Sequence, residues 1–154
     1  MSRRFEPLAL LEGAQRDASA PRNHAALSAS AGTGKTHVLT ARVLRLLLQR
    51  RPEVDPSSIL CLTFTKAGAA EMANRINARL AGWVRMRDQD LRSDLINLGE
   101  ANDPITMQRA RRLFAKVLDA PGGLRIQTIH SFAQALLAAF PAEAGVTPGF
   151  QPIE

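Results

Sequence analysis

The sequence predicts an α/β fold built on a parallel sheet. Three short apolar segments, at residues 24–28, 59–64 and 124–129, suit buried strands. Each of them is followed by a stretch in which apolar residues recur at helical spacing, and this alternation is typical of parallel sheets. The chain has 154 residues, 45% of them hydrophobic, which is enough to bury a core.

The first half of the chain predicts two helices around the first strand and a third helix after the second strand. Residues 8–18 form a short helix before the first strand, and residues 35–50 form a longer helix after it, closed by Pro52. The apolar side of the longer helix consists of Val38, Leu39, Val43, Leu46 and Leu47. The third helix is predicted from the spacing of Ala69, Met72, Ala73, Ile76 and Leu80.

Residues 85–119 are predicted as a helical insert of two amphipathic helices, with a break at 99–103. Asp103 suits the N-cap of the second helix, and Pro104 suits its first position. The apolar stripe of that helix consists of Ala110, Leu113, Phe114, Val117 and Leu118. The basic side chains of the insert could line a nucleic acid, but two solvated helices are the favoured interpretation, because Asp88, Asp90 and Asp94 offset part of the charge.

After the third strand, residues 131–140 are predicted as a helix, stopped by Pro141, and the last ten residues as a loop. Trp83 and His24 are expected to be structural.

Composition restricts the partners and the location. The chain carries 20 Lys and Arg against 14 Asp and Glu, a surplus of +6 that favours polyanions such as nucleic acid. Its single cysteine, Cys61, excludes a disulfide framework and is expected to be inert in the core. No apolar run approaches the roughly 18 to 20 residues that span a bilayer. We therefore expect a cytoplasmic protein without a membrane partner.

A phosphate-binding loop is predicted at residues 29–36, between the first strand and the helix that begins at Lys35. Gly32 and Gly34 allow a tight turn whose backbone N–H groups, at Ala31, Thr33 and their neighbours, point at one phosphate. Lys35 reaches the β- and γ-phosphates, and Thr36 offers its hydroxyl to Mg²⁺. His37, the next residue, could touch the nucleotide. ATP and Mg²⁺ are therefore the expected cofactors, with Lys35 and Thr36 in the catalytic roles.

The segment 11–18 (LEGAQRDA) resembles the glutamine motif of superfamily-1 helicases of the UvrD/Rep type. That resemblance implies that Gln15 reads the adenine edge, since an amide carries donors and an acceptor on one planar group. Glu12 stands where many relatives have Asn. The general pattern of a phosphate loop begins with glycine, whereas this loop begins with Ala29. An alanine at that position is ordinary for this family.

Two further segments resemble the single-stranded-DNA motifs of the same helicases. Residues 62–72 (LTFTKAGAAEM) follow the second strand and are similar to motif Ia, although the lysine stands one place earlier than in many relatives. Residues 128–132 (TIHSF) follow the third strand and are similar to motif Ib. The DNA-binding residues implied by the resemblance are Thr63, Phe64, Thr65, Lys66, Thr128, His130, Ser131 and Phe132.

Within this family, residues 140–146 and the helical insert are most similar to the AddA helicase–nuclease proteins of double-strand-break repair. The resemblance implies that residues 1–154 are the N-terminal part of a RecA-like ATP-binding lobe, and that its partners are DNA and an AddB-type subunit. No Asp-Glu pair follows the third strand. The Mg²⁺-binding and catalytic carboxylates of such helicases are therefore missing, and we expect this stretch alone not to hydrolyse ATP.

Two other functions remain open at this point. A small phosphotransferase could use the same loop, although no lid with paired arginines is found in the sequence. A non-enzymatic DNA-binding module with a vestigial loop would bind single strands in a salt-dependent way without responding to ATP.

Overall fold

The computed structural model describes residues 6–28, 34–147 and 149. That part of the chain contains six α-helices and one small, two-stranded sheet. The elements are α1 (Gly13–Ala18), α2 (Lys35–Leu48), a 3₁₀ turn (Pro56–Ser58), β1 (Leu60–Thr63), α3 (Lys66–Arg85), α4 (Asp88–Asn97), α5 (Pro104–Asp119), β2 (Arg125–Thr128) and α6 (Ile129–Ala139).

Strands β1 and β2 lie side by side and run parallel, and α3, α4 and α5 form the connection between them. The register pairs Leu60 with Arg125 at one end and Thr63 with Thr128 at the other. The predicted α/β class and the parallel pairing are confirmed. Both strands fall inside the predicted segments 59–64 and 124–129.

The prediction of a strand at residues 24–28 is wrong. The segment has no regular structure, its residues are exposed, and Leu27 is among the exposed large apolar side chains. Within the described residues the sheet consists of β1 and β2, and neither exchanges ladder hydrogen bonds with this segment. An extended segment without a partner leaves its N–H and C=O groups to water, so an apolar run alone does not make a strand.

The core lies between helices α2, α3, α4 and α5. Its fully buried large side chains are Leu44, Leu47, Ile76, Leu80, Trp83, Leu91, Leu95, Leu98 and Leu113. The predicted apolar sides are largely confirmed, with two errors, because Leu39 and Leu118 are exposed. Each stands one residue beyond a buried valine, Val38 or Val117, and is therefore turned about 100° around its helix, away from the core.

A buried carboxylate joins three parts of the core. Asp94 of α4 accepts hydrogen bonds from Trp83 Nε1 and Arg79 Nη1, both at 2.9 Å, and from the backbone N–H of Leu8 at 2.9 Å. Trp83 and Asp94 are completely buried. The three donors satisfy a charge that would otherwise be costly inside a protein. This network confirms the structural role expected for Trp83.

The first predicted helix is shorter than expected, because α1 begins only at Gly13. The residues before it follow α4 instead: Leu11 N–H donates to the carbonyl of Asn97 at 3.0 Å, and Asn97 Nδ2 donates to the carbonyl of Leu8 at 2.7 Å. Backbone groups that an additional helical turn would have paired internally are therefore bonded to α4.

The predicted start of α5 is confirmed. Asp103 Oδ1 accepts from the N–H groups of Ile105 and Thr106, at 3.0 and 3.1 Å, and Pro104 occupies the first turn. Hydrogen bonds from Thr106 and Arg50 hold the pKa of Asp103 well below its usual range. Since this carboxylate is charged at neutral pH, it also interacts favourably with the positive end of the helix dipole at the start of α5.

Candidate functional site

The candidate nucleotide site begins where α2 begins. Lys35 is the first residue of α2, and Gly34, its N-cap, has a φ of +85° in the left-handed region. Non-glycine residues rarely adopt that conformation, so the glycine is required by the backbone. The remaining residues of the predicted loop, 29–33, which include Ala31, Gly32 and Thr33, lie outside the described residues. The described part of the loop, residues 34–36, presents the N-terminus of a helix, which favours anions.

Gln15 lies next to this helix start. A Cβ built on Gly34 would stand 3.7 Å from the side-chain nitrogen Nε2 of Gln15. The two residues are 19 positions apart in the sequence, so the fold brings the predicted adenine-reading amide to the predicted phosphate loop. Gln15 is half-buried, and its amide can therefore still meet a ligand at the surface.

Two arginines of α2 hold α1 in this position. Arg42 Nη1 donates to the carbonyls of Ala18 and Ala20, at 2.9 and 2.8 Å, and Arg42 Nη2 donates to the carbonyl of Asn23 at 2.6 Å. These carbonyls lie at the C-terminal end of α1 and just beyond it. Such groups lack intrahelical partners, and Arg42 satisfies several of them at once.

The second arginine, Arg45, is buried. Its Nη1 donates to the carbonyl of Arg16 at 2.9 Å and to Ser19 Oγ at 2.7 Å, and its Nε pairs with Glu100 at 2.7 Å. Sequence reasoning did not identify Arg42 or Arg45. The available signal was two arginines, three residues apart, among the apolar residues of the second half of α2.

The structure places His37 beside a cavity that the other predicted nucleotide-binding residues among those described do not line. His37 and Thr40 line a cavity of about 430 Å³ together with Glu6 and Arg79. His37 Nε2 and Thr40 Oγ1 are buried there without a hydrogen-bond partner among the described residues. Gln15, Lys35 and Thr36 are not among the residues that line it.

The described residues contain no group of three or more His, Cys, Asp or Glu side chains placed to share a metal ion. The Mg²⁺ ligand predicted from the sequence, Thr36, lies in the first turn of α2. A single hydroxyl suits Mg²⁺, which keeps several waters and uses phosphate oxygens as further ligands.

The two predicted DNA motifs meet at one edge of the sheet. Thr63 and Thr128 are paired in register at the ends of β1 and β2, and α3 and α6 begin directly beyond them. In parallel sheets this carboxyl edge is where ligands usually bind. Residues that are more than 60 positions apart in the sequence therefore share one surface.

Several hydroxyls at this edge cap the helices. Thr65 Oγ1 accepts from the N–H of Gly68 at 3.0 Å, and a Cβ on Gly68 would stand only 3.1 Å from that oxygen. Thr63 Oγ1 donates to the carbonyl of Thr65 at 2.9 Å. These contacts fix the turn between β1 and α3, so part of the hydrogen-bonding capacity of the two threonines serves the fold.

The turn after β2 is built in the same way. Buried Thr128 accepts through Oγ1 from the N–H of Ser131 at 3.1 Å, and the two hydroxyl oxygens are 2.9 Å apart. His130 is exposed, and Phe132 is half-buried. Across the edge, Phe64 is 87% exposed and contributes little to the core. Of the predicted DNA-binding residues, Phe64, Thr65, Lys66 and His130 are therefore the exposed ones.

Cys61, in β1 below this edge, is packed against the core. Burial raises the pKa of its thiol, which lowers the fraction of reactive thiolate at neutral pH.

Some basic residues of the helical insert are part of the fold. Arg111 donates to the backbone carbonyls of Trp83, Val84 and Met86 at the end of α3, at 2.8 to 3.2 Å, and pairs with Asp88. This set of contacts agrees with the favoured interpretation of the insert as structural helices. Arg92 and Arg112 are exposed.

Comparison with known proteins gives the family. A family model described as the UvrD/REP helicase N-terminal domain matches residues 11–154. Similar curated proteins include the ATP-dependent helicase/nuclease protein AddA of Lactobacillus gasseri, 38% identical over 116 residues, which are 71% of this chain and 9% of the relative. The corresponding protein of Pelotomaculum thermopropionicum is 34% identical over 125 residues, or 81% of this chain and 8% of the relative.

The protein of the same name from Bacillus pumilus is 32% identical over 125 residues, 81% of this chain and 8% of the relative. The chain thus spans less than a tenth of the length of these relatives. Of the described helices, none combines the length and the apolar character needed to cross a membrane. The resemblance found in residues 11–18, 62–72 and 128–132 is confirmed by the family match: the chain belongs to the UvrD/REP helicase N-terminal domain family.

Proposed function

We propose that this chain is the ATP-binding and single-stranded-DNA-contacting N-terminal portion of a RecA-like helicase lobe. The parent would be an ATP-dependent DNA helicase of the AddA type that acts in double-strand-break repair. The observation that carries the proposal is the position of the Gln15 amide beside Gly34, at the start of α2.

In this proposal the triphosphate lies on the loop that ends in Gly34, Lys35 and Thr36. The helix N-terminus and the ammonium group of Lys35 neutralise phosphate charge, and the Thr36 hydroxyl supplies one ligand to Mg²⁺. The metal would draw charge from the transferring phosphate. Gln15 presents donor and acceptor groups to the base, and its distance from Gly34 suits a ligand that touches both residues.

DNA is proposed to cross the carboxyl edge of β1 and β2. Thr65, Lys66 and His130 are exposed at this edge, and their polar groups suit phosphate oxygens. Thr63, Ser131 and the buried Thr128 lie beside them, where α3 and α6 begin. Phe64, which is almost fully exposed, offers a flat surface on which a base can stack. Phe132, which is half-buried, has the smaller accessible face.

The activity of the whole protein extends this proposal. The relatives carry helicase/nuclease names and are more than ten times as long as the matched part. We propose that hydrolysis and an AddB-type partner depend on the rest of such a protein. The 154-residue chain is expected to bind ATP without appreciable turnover. In this proposal the rest of such a protein supplies the catalytic carboxylates and an arginine finger, which are worth orders of magnitude in rate.

The test uses the two lysines that begin helices, Lys35 and Lys66, as a matched pair. Lys35→Ala is expected to abolish ATP binding, measured by calorimetry with Mg²⁺, and to leave single-strand binding near the wild-type level. Lys66→Ala is expected to weaken single-strand binding and to leave ATP affinity near the wild-type level, because Lys66 begins α3 at the carboxyl edge of the sheet, where DNA is proposed to bind. Circular dichroism of both variants checks that each remains folded.

Unchanged ATP affinity in folded Lys35→Ala would contradict the nucleotide site. Transfer of phosphate from ATP to a small acceptor by the isolated chain would instead support a phosphotransferase. Salt-dependent DNA binding by a wild-type chain that binds no ATP would support a DNA-binding module with a vestigial loop.

A further inference from the structure

A trough lined by cations lies at the other end of α2 from the nucleotide site. Two depressions, of about 460 and 620 Å³, adjoin each other and share Arg50 and Arg51. We call them together the basic trough, and its cations are Arg22, Arg50, Arg51, Arg109, Arg112 and Lys116. Helix α2 has 14 residues, so the trough lies about 20 Å along the helix axis from Lys35.

The carboxylates that line the trough are already paired. Glu100 pairs with Arg45 at 2.7 Å, behind the trough lining. Glu53 pairs with Lys116 and with Arg109 Nη2, the latter at 3.1 Å. Lys116, followed by Arg109, holds the pKa of Glu53 below its usual range, so Glu53 remains charged and leaves the trough with a net positive lining.

Three guanidinium groups of the trough carry a positive charge that no ion pair neutralises among the described residues. Within the described part of the chain, no carboxylate pairs with Arg22, Arg51 or Arg112. Arg109 Nη2 is buried and, although 3.1 Å from Glu53, makes no well-aligned hydrogen bond. A basic concavity of this kind concentrates the field and attracts anions.

We propose that the basic trough binds the phosphodiester backbone of DNA, as a contact separate from the carboxyl edge of the sheet. Five of its six cations are arginines, whose planar fork matches phosphate oxygens. They are spread over two depressions in series, which suits a chain that carries one charge per repeat better than it suits a single small anion. The inference rests on the DNA-binding half of the proposed function and is independent of the ATP site.

The test removes two of these three charges and keeps Arg22, because Arg22 Nη2 donates to the backbone carbonyl of Arg51 at 2.9 Å. Arg51→Gln combined with Arg112→Gln leaves every described ion pair intact. The matched control, Arg87→Gln with Arg125→Gln, removes the same charge from exposed residues that line neither depression. Binding of the full chain to a labelled duplex and to a labelled single strand is measured by fluorescence anisotropy across a range of salt concentrations.

The trough variant is expected to show a shallower salt dependence than the control. Loss of two phosphate contacts reduces the slope of log K against log salt by about 1.8 for a duplex and about 1.4 for a single strand. Between about 50 and 200 mM salt, the duplex affinity of the variant would therefore fall about tenfold less than that of the wild type. ATP affinity is expected to stay unchanged in both variants.

Equal slopes for the trough variant and its control would overturn the inference. It would also be overturned if polyglutamate, at matched charge, displaced DNA from the wild type and lost this ability in the trough variant, because the occupant would then be an acidic protein. If Lys66→Ala weakens DNA binding while the trough variant does not, the proposed function stands and only this inference fails.

Discussion

Replacement of Asp94 by alanine should destabilise the fold more than any other change at an acidic residue of α4. The truncation leaves the indole N–H of Trp83 and the backbone N–H of Leu8 without their acceptor, and the first of these is completely buried. Each unpaired buried donor costs about 1–3 kcal/mol. Arg79 is partly exposed and can turn to water, so its share is smaller.

The expected loss is about 3–5 kcal/mol of unfolding free energy, the range found when one partner of a buried ion pair is removed. In a chain of this size, 1 kcal/mol lowers Tm by about 2–4 °C, so Tm should fall by about 6–20 °C. The assay is urea and thermal unfolding followed by circular dichroism. Asp90→Ala, at an exposed position of the same helix, is the control and should change stability by less than about 1 kcal/mol.

The reasoning is refuted if Asp94→Ala unfolds within about 1 kcal/mol of the Asp90→Ala control. Asp94→Asn provides an internal check. The amide oxygen can still accept from Trp83 and Arg79, but its NH₂ group would then face the N–H of Leu8. Its stability should therefore lie between those of the wild type and Asp94→Ala.

Two further predictions concern the ends of α5 and β1. Because hydrogen bonds from Thr106 and Arg50 depress the pKa of Asp103 below its ordinary value of 3.8, its stabilising effect is complete above that value. The effect is lost as the pH falls toward the folded-state pKa, so the stability difference between wild type and Asp103→Asn, followed by urea unfolding from about pH 7 to pH 2, should shrink below about pH 4. Equal differences at both ends of that range would contradict the cap. Phe64→Ala should leave Tm unchanged but weaken single-strand binding about 5- to 150-fold, the equivalent of one stacked base. Phe114→Ala, which removes a side chain packed against the core, should show the opposite pattern, and a Tm loss in Phe64→Ala would indicate that Phe64 packs.

Local signals in the sequence predicted the elements that depend on few neighbours. The start of α5 was predictable because Asp103 and the two N–H groups that it caps are within three residues of each other. The strands β1 and β2 were predictable from short apolar runs. The same rule failed at residues 24–28, because pairing with a second strand is not encoded in the run itself.

Long-range contacts were the main part that the sequence did not reveal. Asp88, Asp90 and Asp94 are equivalent as charges in a helical pattern, yet Asp94 alone is buried against Trp83. The start of α1 was misplaced for the same reason, since the backbone N–H groups of Leu8 and Leu11 donate to acceptors on α4 that are 86 positions away.

In the candidate site, motif order predicted that distant segments would meet, and the structure brings Gln15 to Gly34 and Thr63 to Thr128. Motif order could not indicate that the hydroxyls of Thr65 and Thr128 cap helices, because capping depends on the angle between each strand and the helix that follows it.

The arginines that connect α2 to α1 have a mechanical consequence. Arg42 and Arg45 together bind five oxygen atoms at and just after the end of α1. A tilt of α1 would have to break these bonds or carry α2 along with it. Gln15 and Gly34 therefore keep a fixed spacing, and a ligand that touches both must match it without help from a movement of α1.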